Sequence, residues 1–208
     1  MLHDYGIPYP KHAVAQSSEE ATAIAQRLGY PVVLKVISPD VLHKSDVGGV
    51  VVGLESAADV VRAYAQILET VHHGVPGARI EGMLVCQHAP AGLEVIVGAL
   101  QDEMFGPALM FGLGGVYAEV LNDISFRVIP VRRQDAEEMV REIQGYPLVG
   151  GTRGHPGLDG NALIDLLLSV SRMMTDRVEI QELDLNPVRL FEHGLLVLDA
   201  RVMTCGPG

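Results

Sequence analysis

The stretch "VVLKVISPDVLHKSDVGGVVVGL" (residues 32–54) predicts a strand, a polar loop and a second strand. The β-branched runs at its two ends predict the strands, and the Ser, Pro, Asp and Gly residues between them predict the loop. Lys35 stands in the first strand among Val, Leu and Ile. Because a buried ammonium is costly unless it meets an anion, Lys35 either faces water on an edge strand, joins a structural ion pair, or is presented to a phosphate.

The loop brings together groups that can bind phosphate. Lys44 offers three donors, Ser45 offers a hydroxyl, and the Gly48-Gly49 step lets the backbone approach a ligand and direct N–H groups at anionic oxygens. A plain turn before the second strand is the alternative. The pattern is not a P-loop, because the sequence contains no Gly-x-x-x-x-Gly-Lys-Ser/Thr. His43 taken alone predicts only a solvated loop side chain.

Helices are predicted on both sides of this strand–loop–strand unit. Capping patterns start them at Ser17 and Ser56, and Gly29 and Gly74 end them. The result is one small sheet flanked by helices.

From residue 79 onward, short strands separated by turns predominate. The predicted strands are 80–87, 93–100, 107–112, 116–121 and 125–131. A helix follows over about 135–144, then a Gly/Pro-rich loop over 145–160 and a longer helix over about 161–175.

The most specific polar pattern lies near the end of the chain. The segments "VEIQELDLNPVRL" (178–190) and "GLLVLDARV" (194–202) predict a hairpin. Along its first strand, Glu182, Asp184 and Asn186 alternate with leucines and share one face. The return strand is predicted to place Asp199 roughly opposite Asn186. Hard oxygen ligands of this kind suit Mg²⁺, and a solvated polar face of the sheet is the alternative.

Composition excludes several classes of protein. The 208 residues suit one large domain or two small lobes, and 48% are hydrophobic, enough for a buried core. Lys and Arg number 15 against 26 Asp and Glu, a net charge of −11 that opposes nucleic-acid binding. The sequence shows neither a membrane-spanning run nor a signal peptide. Cys86 and Cys205 lie far apart and predict thiols in a reducing cytoplasm.

These pieces, in this order, resemble a known family. The segments that carry the resemblance are "YGIPYP" (5–10), "GYPVVLKVISPDVLHKSDVGGV" (29–50), "GLEVIVGALQDEMFGPALMFGLGG" (92–115), "DISFRVIPV" (123–131), "ELDLNPV" (182–188) and "LDARV" (198–202). They resemble the ATP-grasp domain of NDP-forming acyl-CoA synthetases, also called ADP-forming acetyl-CoA synthetase β subunits. The resemblance implies an α+β ATP-grasp fold: two α+β lobes with mainly antiparallel sheets and a nucleotide cleft between them. We expect the N-terminal lobe, with the phosphate loop, over residues 1–84, and the C-terminal lobe, with the metal-binding hairpin, over 85–208.

The resemblance also implies roles for individual residues. His43 matches a histidine that is transiently phosphorylated and relays phosphate between subunits. From the loop's own residues we predict hinges at Ser38-Pro39 and Gly48-Gly49. Segment 84–87 resembles an inter-lobe linker whose backbone groups recognise adenine. The expected nucleotide contacts are Lys35, Lys44, Ser45, Gly48, Gly49, Leu84, Val85, Cys86, Gln87 and Glu94. The expected metal ligands are Asn186 and Asp199, with Asp184 and Glu182 as neighbours.

The implied reaction is acyl-CoA + ADP + phosphate ⇌ acid + CoA + ATP, with ATP or ADP and Mg²⁺ as cofactors. The implied partner is a CoA-binding α subunit, in a hetero-oligomer, or a fused CoA-binding domain. The alternative is a non-catalytic domain that senses nucleotide or acyl-CoA within a larger fusion such as an acetyltransferase. Neither the acyl group nor the preference for ADP over GDP follows from the sequence.

Overall fold

The computed structural model describes residues 1–41, 43–115, 123–151 and 156–205. The protein divides into two compact units, a smaller one formed by residues 10–90 and a larger one formed by residues 1–9 with 91–208. Both units combine helices with antiparallel sheets. None of the helices in the described ranges is long and apolar enough to cross a bilayer.

The smaller unit has a four-stranded sheet and two helices. Its elements are β1 (His12–Ala15), α1 (Ser18–Leu28), β2 (Val32–Ile37), β3 (Val50–Leu54), α2 (Ala57–Gly74) and β4 (Gly82–Gln87). The strand order is β1-β4-β2-β3, and all pairs are antiparallel. The predicted caps are confirmed, since the Ser17 and Ser56 side chains accept hydrogen bonds from the backbone N–H groups of Glu20 and Asp59.

The larger unit is built on a six-stranded sheet. After a 3₁₀ turn (Leu2–Tyr5), its elements are β5 (Leu93–Asp102), β6 (Gly106–Leu113), β7 (Ile124–Val128), α3 (Arg133–Glu142), α4 (Tyr146–Gly150), α5 (Gly160–Asp176), β8 (Ile180–Leu190), β9 (Leu195–Val197) and β10 (Ala200–Thr204). The main order is β10-β8-β5-β6-β7, and β9 also pairs with β8.

One face of this larger sheet is packed into a core. Inward side chains such as Val97, Phe111 and Leu185 cluster with Met139 of α3 and Leu167 of α5, and each is fully buried. On β7 the alternate side chains are about half exposed, which marks the opposite face as open. The helices therefore cover one face of the sheet and leave the other open.

The sequence-based boundaries differ from the structure in a few places. The predicted lobe boundary between residues 84 and 85 falls inside β4, which pairs along both edges with strands of the smaller unit. Residues 1–9 join the larger unit, where the N–H of Val197 donates to the carbonyl of Pro8 over 2.9 Å. The predicted 145–160 loop contains the short helix α4. The predicted strand 116–121 lies outside the described residues.

Candidate functional site

Lys35 lies on β2, which is an inner strand. It pairs with Val50 of β3 on one side and Leu84 of β4 on the other, so the edge-strand interpretation is wrong. Its neighbours Leu34 and Val36 are fully buried, whereas Lys35 is half-buried on the opposite face. The sheet therefore presents this ammonium on the face away from its helices.

The loop after β2 is closed by its own backbone. The N–H of Gly49 donates to the carbonyl of Lys44 over 2.7 Å, and the N–H of Gly48 donates to that of Ser45 over 3.2 Å. The prediction that these two N–H groups face anionic oxygens is therefore not met in this structure. Both glycines are required by packing, because an added Cβ would lie 2.6 Å from Thr70 Cγ2 at Gly48 and 2.7 Å from Val36 Cγ1 at Gly49.

The tip of the loop carries the reactive groups. His43 and Ser45 are exposed, and Lys44 is half-buried. An imidazole, an ammonium and a hydroxyl thus follow one another at the end of an otherwise packed turn. With the glycine amides used inside the loop, the cations Lys44 and Lys35 are the groups of the smaller unit best suited to phosphate oxygens.

The segment expected to bind adenine through its backbone, residues 84–87, lies in an inner strand. Leu84, Val85 and Cys86 lie in β4 and pair with both β1 and β2. Their backbone groups are consequently used by the two ladders, and the N–H of Gln87 donates to the carbonyl of Lys11 over 2.8 Å. The interpretation of residues 84–87 as a linker with available backbone is corrected accordingly. In sequence, the residues between β4 and β5 are 88–92.

In the larger unit, the predicted opposition of Asn186 and Asp199 is confirmed. The N–H of Asn186 donates to the carbonyl of Asp199 over 3.1 Å, and the N–H of Leu198 donates to the carbonyl of Pro187 over 2.9 Å. Directly opposed residues of an antiparallel pair project to the same face of the sheet. The carboxylate and the amide are therefore neighbours on one face.

This pair sits at an irregularity that the periodic pattern did not predict. On the β5 side, Val188 pairs with Val95 and Leu185 pairs with Val97, so two residues of β8 lie opposite one residue of β5. These two residues are Asn186 and Pro187, and the arrangement is a β-bulge. Proline in an inner strand is the sequence signal for it, because such a residue is confined to bulges and edges.

The other two predicted carboxylates lie further along β8. Asp184 is opposite Arg201 of β10, not opposite the Asn186–Asp199 pair. Glu182 is four residues from Asn186, roughly 13 Å at the rise of a strand. Within the described ranges, no group of three or more His, Cys, Asp or Glu side chains is arranged to hold a metal ion. The four side chains share a face as predicted, and of them Asn186 and Asp199 are directly opposite each other.

Arg189 is a residue that the sequence reasoning missed. It lies directly opposite Glu94, and its Nη2 is 2.6 Å from the Glu94 Oε1. The carbonyl of Glu94 accepts from the N–H of Gly114 over 2.8 Å, so the pair lies beside the start of the glycine-rich turn. A cation within the apolar run of β8 was the available signal, comparable to Lys35 in β2.

Known proteins resemble this one along nearly its whole length. The protein matches the ATP-grasp domain family over residues 1–204. It is 49% identical over 203 residues to an ADP-forming acetate–CoA ligase I of Archaeoglobus fulgidus, with 98% of this sequence and 30% of the ligase covered. It is 41% identical to subunit beta of the ADP-forming acetate–CoA ligase I of Pyrococcus furiosus, with 98% and 88% covered.

Solved structures give the same result. The dinucleotide-forming acetyl-coenzyme A synthetase 1 of Ca. Korarchaeum cryptofilum, in complex with coenzyme A, Ca-AMPCP and HgCl⁺, has a TM-score of 0.95 and 48% identity, with 98% of this sequence and 89% of that one covered. A complex of the same enzyme with coenzyme A and Mg-AMPPCP has a TM-score of 0.83 and 43% identity, with 98% and 88% covered.

The two antiparallel α+β units are those of an ATP-grasp domain, which confirms the predicted fold. More particularly, the protein belongs to the family of ADP-forming acetyl-CoA synthetase β subunits. It spans 30% of the length of the ligase from A. fulgidus and 88% of the length of the β subunit from P. furiosus.

Proposed function

We propose that this protein is the nucleotide-binding, phosphoryl-transfer module of an NDP-forming acyl-CoA synthetase. It works with a CoA-binding partner, separate or fused, in the reaction acyl-CoA + ADP + phosphate ⇌ acid + CoA + ATP. The observation that carries the proposal is in the smaller unit, where the inner strand that presents Lys35 leads directly into the loop that exposes His43. Its relation to β subunits of ADP-forming ligases supports the same reaction.

The residues of the larger unit fit a magnesium ion. Mg²⁺ in nucleotide sites takes one or two protein oxygens and completes its shell with water and phosphates. The Asp199 carboxylate and the Asn186 amide oxygen would supply two such oxygens, because the two residues are directly opposed in the hairpin. Bound there, Mg²⁺ would neutralise phosphate charge. Asp184, opposite Arg201, is a neighbour of this pair, not one of the two ligands.

His43 is the proposed nucleophile. One ring nitrogen of the neutral imidazole can attack the γ-phosphorus of ATP with its lone pair while the other keeps its proton. The bond from that phosphorus to the bridging oxygen breaks, ADP leaves, and a phosphohistidine remains. Lys35 and Lys44 hold the phosphate oxygens in line, a role that catalysis of phosphoryl transfer requires.

The test is phosphate labelling of His43→Ala with the CoA-binding partner present. With γ-³²P-labelled ATP, the wild type should gain acid-labile, base-stable label, and the variant should bind Mg·ATP normally but gain none. His72→Ala is the matched control, because His72 is also an exposed histidine of the smaller unit. Equal label or turnover in His43→Ala would refute the relay. Binding of Mg·ATP by the wild type with neither label nor turnover would favour the sensing role.

We also propose a cytoplasmic location. Cys86 is buried and Cys205 is exposed, and both are thiols in the structure. Thiols in this state are typical of a reducing compartment, where CoA and nucleotide chemistry take place. Non-reducing mass spectrometry of the native protein tests this point, and a disulfide involving either cysteine would contradict it.

A further inference from the structure

The segment that enters the His43 loop is tied to residues that lie far away in sequence. Asp40 accepts a hydrogen bond from the backbone N–H of Arg79, with 2.8 Å between Oδ2 and N. Nearer to β2, the carbonyl of Ile37 accepts from the N–H of Glu81 over 2.8 Å. Val41 is only 5% exposed and packs in the core of the smaller unit. The entering leg, residues 38–41, is therefore held against residues 79–81.

The segment that leaves the loop is held by different means. Val47 packs beside Gly74, and Gly48 packs on Thr70, both at the end of α2. The backbone of Gly49 donates to Lys44 and accepts from Val36. The leaving leg, residues 47–49, is thus fixed by packing and by main-chain hydrogen bonds. Both predicted hinges lie in anchored legs, and residues 43–46 form the tip between them.

We propose that Asp40 is a positioning residue for phosphoryl transfer at His43. The inference rests on the role proposed above for His43. The entering leg is tied outside the core by the Asp40 carboxylate, which lies three residues before the nucleophile. A nucleophile displaced by about 1 Å can lose up to about 100-fold in rate, so the tie sets how often the imidazole lies in line with the γ-phosphorus.

The test compares three substitutions of Asp40 in the protein when it is bound to its CoA-binding partner. Asp40→Ala removes the acceptor and should lower kcat of phosphoryl transfer about 5- to 10-fold, the loss expected for one hydrogen bond, with KM for Mg·ATP unchanged. Asp40→Asn keeps an acceptor oxygen of the same reach and should restore most of the rate. The side chain of Asp40→Ser is too short for its oxygen to reach the Arg79 N–H, so this variant should behave like Asp40→Ala.

Glu55→Ala is the control, because it removes an exposed carboxylate from the same unit. The kcat of Glu55→Ala should equal that of the wild type. Thermal unfolding should show that all variants fold. If Asp40→Ala does not fold, Asp40→Ser takes its place in the comparison. A wild-type kcat in Asp40→Ala, a loss confined to KM, or an Asn variant as slow as Ala would each overturn the proposal. These outcomes leave the His43→Ala labelling result untouched, so failure of Asp40 and failure of the proposed function are distinguishable.

Discussion

The smaller unit carries its candidate catalytic group on a loop, whereas the larger unit carries its candidate metal ligands inside a sheet. In the smaller unit, His43 stands at an exposed tip whose two legs are fixed to α2 and to the segment before β4. In the larger unit, Asn186 and Asp199 are set by the register of β8 with its neighbours and by a bulge. A loop presents a group at the surface, and a sheet fixes two oxygens relative to each other.

The two solutions should respond differently to mutation. In the loop, the two legs determine the position of the tip. Function should therefore depend on the residues that pack against the legs, although these residues touch no ligand. In the hairpin, the backbone holds the geometry, so removal of one ligand side chain should affect metal binding and little else. Substitutions in the two units test this contrast.

The largest effect is expected for Asp199→Ala. Partners that merely orient a metal ligand cost about 10- to 100-fold in metal affinity when removed, so loss of a ligand itself should reach about 100-fold in Mg²⁺-dependent ATP affinity. Glu182→Ala is the matched control, since it removes a carboxylate from the same face at roughly 13 Å along the strand. Calorimetry with Mg²⁺ and with EDTA measures both. An equal loss in the two variants would show that the ion does not sit at the Asn186–Asp199 pair.

Lys35→Met should come next. The substitution keeps most of the side-chain volume on the inner strand but removes the charge, and a charged hydrogen bond contributes about 1.5–3 kcal/mol. ATP affinity should therefore fall roughly 10- to 100-fold, with Mg²⁺ dependence retained. Lys11→Met, at an exposed position of the same unit, should have no effect. If calorimetry gives Lys35→Met the affinity of the wild type, the half-buried ammonium does not meet the phosphates.

How much of this arrangement could be predicted depends on which residues decide it. The alternation of Glu182, Asp184 and Asn186 with leucines predicted one polar face, and the tight return predicted Asp199 opposite Asn186, because both inferences need only strand periodicity. The bulge escaped prediction since a period of two assumes a regular strand, although Pro187 in an inner strand signalled it. The same pattern predicted too many ligands for one metal site, because it identifies which residues share a face but not how far apart they lie along the strand.

The loop shows the opposite limit. Glycines at 48 and 49 fit either a ligand that approaches the backbone or close packing. Only the positions of Thr70 and Val36, on α2 and β2, decide for packing. Segment 84–87 illustrates the same point. Its β-branched and apolar residues correctly predicted a strand, and the family resemblance suggested a linker that the double pairing of β4 excludes.

Gly48→Ala tests whether packing holds the loop. Gly48 and Gly53 have φ of +67° and +69°, but an added Cβ meets Thr70 at Gly48 and open space at Gly53. Gly53→Ala should therefore lower the free energy of unfolding by about 1 kcal/mol from backbone conformation alone. Gly48→Ala should cost about 1–3 kcal/mol more from overpacking. Urea unfolding measures the difference, and Thr70→Ser, which removes Cγ2, should recover most of it. Equal losses at the two glycines would mean that the leg is not packed on α2.

The smallest effect concerns the turn that joins β8 to β9. The Asp159 carboxylate accepts from the N–H of Ala162 at the start of α5 over 2.9 Å and from that of Gly194 in the turn over 2.8 Å. These backbone hydrogen bonds, from Ala162 first and then Gly194, lower the pKa of Asp159. Loss of a helix cap costs about 1 kcal/mol, so Asp159→Ala should lower the free energy of unfolding by about that amount at pH 7.

The pH dependence follows from the sign of this shift. Because the folded-state pKa lies below the ordinary aspartate value of about 3.9, the stabilisation is present above about pH 4 and is lost as the pH falls through the folded-state value. The stability gap between the wild type and Asp159→Ala should therefore be constant from pH 7 to about pH 5 and shrink below about pH 4. Glu192→Gln, which neutralises an exposed carboxylate on the same turn, is the control in urea unfolding at each pH. A stability gap that stays unchanged at pH 3 would mean that the neutral carboxyl group of Asp159 stabilises the fold as much as the carboxylate does. The hairpin, like the loop, would then depend on packing.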